Sequence, residues 1–132
     1  MKDAPARLLA EFLGVFFLCF FGIGAISNDA GLTGVALAHG LGIFIAICAF
    51  GHISGAHFNP VVSGVAVARG EMPIGTAVTY MVAQVLGAIL GSITANLMFG
   101  LAVATASTHV RDGAGLWLGE VVATAEIGRA HV

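Results

Sequence analysis

Apolar residues fall in long unbroken runs, separated by short clusters of glycine, asparagine and charge. With Leu8, Leu9 and Ala10 ahead of the uncharged stretch Phe12–Ile26, residues 8–27 make about 20 positions. That is some 30 Å of helix, the thickness of a hydrocarbon core. Lys2 and Arg7 ahead of it are also compatible with a cleaved signal peptide, but the run exceeds a typical h-region and further spans follow. Ser27-Asn28-Asp29-Ala30-Gly31 is a turn cluster, after which residues 32–52 are long and apolar enough to cross again. Pro73 suits a helix start, and Ile74–Leu101 carries no charge, so residues 73–101 predict a third transmembrane helix. Its Gly87 and Gly91 have the GxxxG spacing that permits close helix contact. Residues 102–115 are small and polar (Ser107, Thr108, His109, Arg111, Asp112) and predict an extracellular loop. Residues 116–125 begin a fourth apolar stretch that soon stops. Residues 126–132 turn polar in mid-span and resemble translated sequencing adapter, so they are left out of the fold expectation.

The segment 53–70 fits neither a span nor an ordinary loop. From Asn59 it predicts a short helix, with Asn59 as N-cap, Pro60 at the first helical position and Gly70 closing it. Its length, about 15 Å, is half a hydrocarbon core. If Ile53–Phe58 is extended, at about 3.3 Å per residue it carries the chain some 20 Å inward. Together they predict a re-entrant half-helix ending at the midplane. Non-helical backbone is tolerated there only where it lines a polar cavity, because lipid offers its N–H and C=O groups no partners. The competing reading, an amphipathic helix lying on the membrane surface, lacks the basic face such helices carry, since Arg69 is its one charge.

Composition agrees with the runs. Of 132 residues, 9% are charged where about 25% is usual for a soluble domain, and 58% are hydrophobic. The class predicted is an all-α membrane protein. A net charge of −2 with five scattered basic residues excludes a nucleic-acid surface. Lys2, Arg7 and Arg69 fall on one side of the alternating spans and Arg111 on the other, which places the N-terminus in the cytoplasm. Cys19 and Cys48 sit in apolar runs without a CxxC spacing. His52 and His57 have no acidic or thiol neighbour to complete a metal site, and no cofactor is expected. No arrangement for nucleophilic catalysis and no phosphate loop is visible, so no enzyme is expected.

Three stretches carry a resemblance. Ser54-Gly55-x-His57-x-Asn59-Pro60-x-Val62 resembles the first Asn-Pro-Ala loop of the aquaporin and glycerol-channel family, the major intrinsic proteins. Ala10-Glu11-Phe12-Leu13-Gly14 resembles its first helix, and Ala83-Gln84-x-x-Gly87-Ala88 its third. The resemblance implies a channel of six spans and two half-helices, built as an inverted repeat. It also implies four subunits, each with its own pore, in the plasma or inner membrane. This chain would supply the first repeat and the start of the second. Glu11 and Glu120, each near the start of an apolar stretch, would be equivalent positions.

The resemblance assigns roles. Asn59 would stand at the half-helix tip with its NH2 donating to a passing water, and the helix N-terminus there would repel cations. Carbonyls of Gly55, Ala56, His57 and Phe58 would line the pore, with Pro60 and Val61 beside them. Val61 replaces the family's usual Ala, adding bulk where the half-helix tips meet. Glu11 would anchor the loop, with Gln84 and Glu120 as further anchors. As an acidic group inside a span, Glu11 is also open to a rival reading, the proton-coupling carboxylate of a small multidrug antiporter. His39, about 10 Å into the second span, falls where water-selective relatives carry Phe. There it resembles members that also pass ammonia, hydrogen peroxide or urea, and the alternative is a histidine packed against a neighbouring helix. The expected partners are water, small neutral solutes including glycerol, and lipid.

Overall fold

The computed structural model describes residues 3–104 and 112–129, the stretch 126–129 in backbone alone. Five helices follow one another: α1 (Ala4–Ser27), α2 (Gly31–Ser54), α3 (Pro60–Ala68), α4 (Ile74–Met98) and α5 (Ala114–Arg129). The described residues contain no strand. Three helices, α1, α2 and α4, are long and apolar enough to cross a membrane, while α3 has nine residues and does not. Half of the expected 102–115 loop, with Ser107, Thr108, His109 and Arg111, lies outside the described residues, as do Lys2 and residues 130–132.

The helix ends follow local chemistry. Pro5 sits in the first turn of α1, where its missing N–H costs nothing. Asp29, at φ 49°, turns the chain from α1 into α2 in the left-handed region that short polar side chains tolerate. Pro73 precedes α4, and its carbonyl accepts from the N–H groups of Thr76 and Ala77 at 3.0 and 3.1 Å.

α1 is the central element, packed against α4 on one side and α2 on the other. The α1–α4 contact is backbone against backbone. A Cβ built at Gly87 would overlap the Phe12 carbonyl oxygen and lie 3.2 Å from the Phe16 nitrogen; one at Gly91 would overlap the Phe16 oxygen and lie 3.1 Å from its Cα. The GxxxG pair therefore brings the helices together, as the spacing predicts. Ala77, Tyr80, Gln84, Gly87, Gly91 and Ala95 form one buried face of α4, spaced by threes and fours. Away from these contacts the helices expose Leu, Ile, Val and Phe, which suits a surface facing lipid or other membrane helices. α3 packs against α4 and touches α5.

Candidate functional site

The loop between α2 and α3 is shorter and tighter than an extended strand. α2 continues helically to Ser54, with the Gly55 N–H still donating to the Gly51 carbonyl at 2.9 Å, so only residues 55–58 leave helical geometry before Asn59. Gly55, Ala56 and Phe58 have φ of 90°, 53° and 46°. For Ala and Phe this left-handed backbone costs about 1–3 kcal/mol each, and it persists because the surroundings determine it. The expectation of an extended Ile53–Phe58 is thereby corrected: the chain coils on itself, because its N–H groups are drawn toward one carboxylate.

That carboxylate is Glu11, fully buried one turn before Gly14 on α1. Its Oε1 accepts from the Ser54 hydroxyl at 2.6 Å and the His57 N–H at 3.0 Å. Its Oε2 accepts from the Phe58 N–H at 2.7 Å and Gln84 Nε2 at 2.7 Å. Ser54 Oγ in turn accepts from the Ala56 N–H at 3.1 Å. The amides of Ala56, His57 and Phe58 thus find acceptors without water. Two backbone N–H groups and a side-chain amide can only donate, so both Glu11 oxygens act as acceptors and four donors offset the charge.

Further residues brace the loop. Gln84 Nε2 also reaches Ser63 Oγ at 3.2 Å, and Ser63 Oγ lies 3.0 Å from His57 Nδ1. The Gln84 amide donates to Ser63 Oγ, which keeps a lone pair and its own proton for the hydrogen bond with His57 Nδ1. Gln84 Oε1 is buried with no hydrogen-bond partner among the described residues. The Tyr80 hydroxyl donates to the Ser54 carbonyl at 3.0 Å, and its ring meets the His57 ring edge-on, centroids 5.5 Å apart. Phe58 lays its buried ring on Gly14, where a Cβ would fall 2.5 Å from Cζ. Glu11 and Gly14 thus hold one loop, the first by its backbone and the second by a side chain.

Asn59 caps α3. Its backbone is extended (φ −154°, ψ 128°), Oδ1 accepts from the Val61 N–H at 2.8 Å, and Pro60 takes the first helical position. With Oδ1 held, the amide NH2 has no hydrogen-bond partner among the described residues. Pro60 and Val61 are exposed beside it. His39 lies apart from this group, half-buried between α1 and α2, with Nδ1 2.8 Å from the Val35 carbonyl. Since a carbonyl only accepts, Nδ1 carries the proton. Glu120 is exposed on α5 and has no hydrogen-bond partner among the described residues.

The structure therefore brings Glu11, Gln84, His57, Phe58 and Asn59 into one cluster, and leaves His39 and Glu120 outside it. Sequence reasoning gave no role to Ser54, Ser63, Tyr80 or Gly14. A signal existed for Tyr80, the single tyrosine and four residues before Gln84 on an uncharged helix. Among the described residues, no group of His, Cys, Asp and Glu could hold a metal.

Comparison with known proteins covers nearly the whole chain. The profile of the family described as Major intrinsic protein matches residues 2–127. Aquaporin NIP1-1 of Zea mays is 42% identical over 100 residues, which is 71% of this chain and 36% of that protein. Aquaglyceroporin AqpS of Rhizobium meliloti is 38% identical over 129 residues, 92% of this chain and 55% of that protein. Aquaporin Z of Rhodopseudomonas palustris is 39% identical over 114 residues, 81% of this chain and 46% of that protein. The chain spans about a third to a half of the length of these relatives.

Proposed function

Because the chain belongs to the major intrinsic protein family, we propose that it forms the first half of a passive channel for water and small neutral solutes. It is an integral membrane protein of a family of channels. The observation that carries the reading is the half-helix α3, capped by Asn59 and preceded by a coiled loop whose amides are drawn to Glu11. With its oxygen held by Val61, Asn59 turns its NH2 toward a passing solute as a donor. The N-terminus of α3 adds a partial positive charge at the same point, which disfavours cations and a proton-conducting water wire. The loop's N–H groups point at Glu11 and Ser54, so the opposite edge, with the carbonyls of Gly55, Ala56, His57 and Phe58, serves as the acceptor ladder.

Glu11 is a structural anchor on this reading. A proton-coupling carboxylate must exchange its proton with the pathway, whereas here each oxygen already accepts two bonds and the side chain is wholly buried. His39 stands at the outer constriction, where its imidazole sets a more polar opening than a phenyl ring would, so ammonia, hydrogen peroxide, urea or glycerol pass as well as water. The N-terminus faces the cytoplasm, the membrane is the plasma or inner membrane, and four copies of the full-length protein assemble, each with its own pore. Glu120 anchors the corresponding loop of the second repeat.

Stopped-flow light scattering on proteoliposomes of the full-length protein tests this. Rapid osmotic shrinkage that is indifferent to a pH gradient and to a protonophore is expected. Solute uptake that a protonophore abolishes, without raised water permeability, would overturn the channel in favour of a coupled transporter.

A further inference from the structure

His39 does not stand freely on α2; its imidazole lies in a slot cut into α1. A Cβ built at Gly22 would overlap His39 Nε2 and Cε1 and come within 2.7 Å of Cδ2, so the ring occupies the volume that any side chain at Gly22 would need. The contact is reciprocal. Phe21, the neighbour of Gly22 on α1, packs on Gly42 of α2, where a Cβ would lie 3.4 Å from its Cδ2. Two glycines thus receive two rings across one helix pair. The remaining freedom of the imidazole is taken by Nδ1, donating to the Val35 carbonyl at 2.8 Å one turn back. A methyl group at Gly22 cannot be accommodated by a small shift, because the atoms it meets are the ring itself, on a short side chain tied to its own helix.

We propose that Gly22 is a specificity-determining position: it seats His39 in the α1–α2 interface and thereby sets the width of the outer constriction. The inference rests on the reading of His39 as a residue of the solute pathway. With Gly22 present, one edge of the ring is withdrawn into α1, and the space in front of it is open to solutes larger than water. With any larger residue there, the ring must rotate about its Cα–Cβ bond, give up the Val35 carbonyl and project away from α1, narrowing or blocking that space. Selectivity then belongs to the pair rather than to His39 alone, and a histidine at this position without the glycine opposite would make a different filter.

The test compares Gly22→Ala, His39→Ala and the double variant of the full-length protein in proteoliposomes, reading ammonia and water permeability and the reaction of His39 with diethyl pyrocarbonate. Gly22→Ala is expected to lower the ammonia-to-water ratio several-fold and to speed modification of His39. In the His39→Ala background the same change should have no effect, because the seat is vacant. An unchanged ratio in Gly22→Ala, or an equal change in both backgrounds, overturns the proposal. If Gly22→Ala fails to fold, recovery of the double variant supports the seat, since the methyl then occupies the space the ring has left; equal failure of the double variant overturns it. If His39→Ala alone leaves the ratio untouched while Gly22→Ala still exposes the ring, the reading of His39 as a filter residue fails, and Gly22's specificity role with it. If His39→Ala does change the ratio but Gly22→Ala does not expose the ring, the filter survives and the seat is refuted.

Discussion

Glu11→Gln replaces one oxygen of a carboxylate that accepts four hydrogen bonds, and the geometry fixes what that costs. If the amide oxygen takes the Oε2 position, the bonds from the Phe58 N–H and Gln84 Nε2, both 2.7 Å, survive. Each passes from a charged to a neutral acceptor, a loss of about 1 kcal/mol apiece. The new NH2 then faces the His57 N–H, which loses its 3.0 Å acceptor. Losing a hydrogen bond to a charged acceptor costs about 1.5–3 kcal/mol. Ser54 must turn its hydroxyl to accept, giving up the 2.6 Å bond it donates. The opposite orientation faces the NH2 with two obligate donors, Phe58 and Gln84, and is worse. The expected loss is about 3–5 kcal/mol, concentrated in a loop that already carries left-handed Ala56 and Phe58. The assay is the yield of monodisperse protein in detergent and its midpoint of thermal aggregation, followed by permeability of whatever folds. A large fall in yield and midpoint, with residual folded protein still passing water irrespective of pH gradients, is expected. A variant that melts with the native protein would refute the anchoring role, and normal yield with loss of a proton-driven flux would make Glu11 a coupling group.

Gln84→Met keeps the shape but removes the bonds to Glu11 and Ser63. It also removes an unpartnered buried oxygen, which offsets part of the loss, so its midpoint should fall by less than that of Glu11→Gln in the same assay. Gly91→Ala drives a methyl into the Phe16 backbone, which cannot yield as a side chain would. A cost of about 1–3 kcal/mol or more is expected, seen as lost folding yield, and an unchanged yield would mean that α1 and α4 are further apart than described. His39→Phe should lower ammonia permeability relative to water in stopped flow; identical ratios in variant and native protein would remove His39 from the pathway.

The spans and the half-helix could be read from the chain because each rests on a local and one-dimensional signal. Uncharged runs of bilayer length mark α1, α2 and α4, and Asn59-Pro60 followed by an apolar stretch marks α3 with its cap. Glu11 could be singled out because an acid in an apolar run must be satisfied by something. That it holds the loop, with Gln84 as a further anchor, came from the family resemblance; the Ser54 hydroxyl could not be read, because only packing brings it, the amides of His57 and Phe58 and Gln84 to one carboxylate. The coiling of residues 55–58 was equally hidden. Neither Ala56 nor Phe58 favours a left-handed backbone, and the tertiary bonds to Glu11 override local preference. The glycine seats are a third case. Gly87 and Gly91 announce themselves by their spacing, whereas Gly14 and Gly22 acquire meaning only from the rings of Phe58 and His39 that lie on them.

On the channel reading, the tip of α3, with Asn59 and Val61, faces the route that water takes. Val61→Cys in the full-length protein, with Cys19, Cys48 and every other native cysteine replaced by alanine, tests whether it does. Val61 is 54% exposed beside the Asn59 cap, so a thiol there should be open to a mercurial reagent. Modification of this single cysteine is expected to stop most of the osmotic water flow, and a reducing thiol to restore it. Complete modification with undiminished water flow would place the tip of α3, and Asn59 with it, outside the pathway.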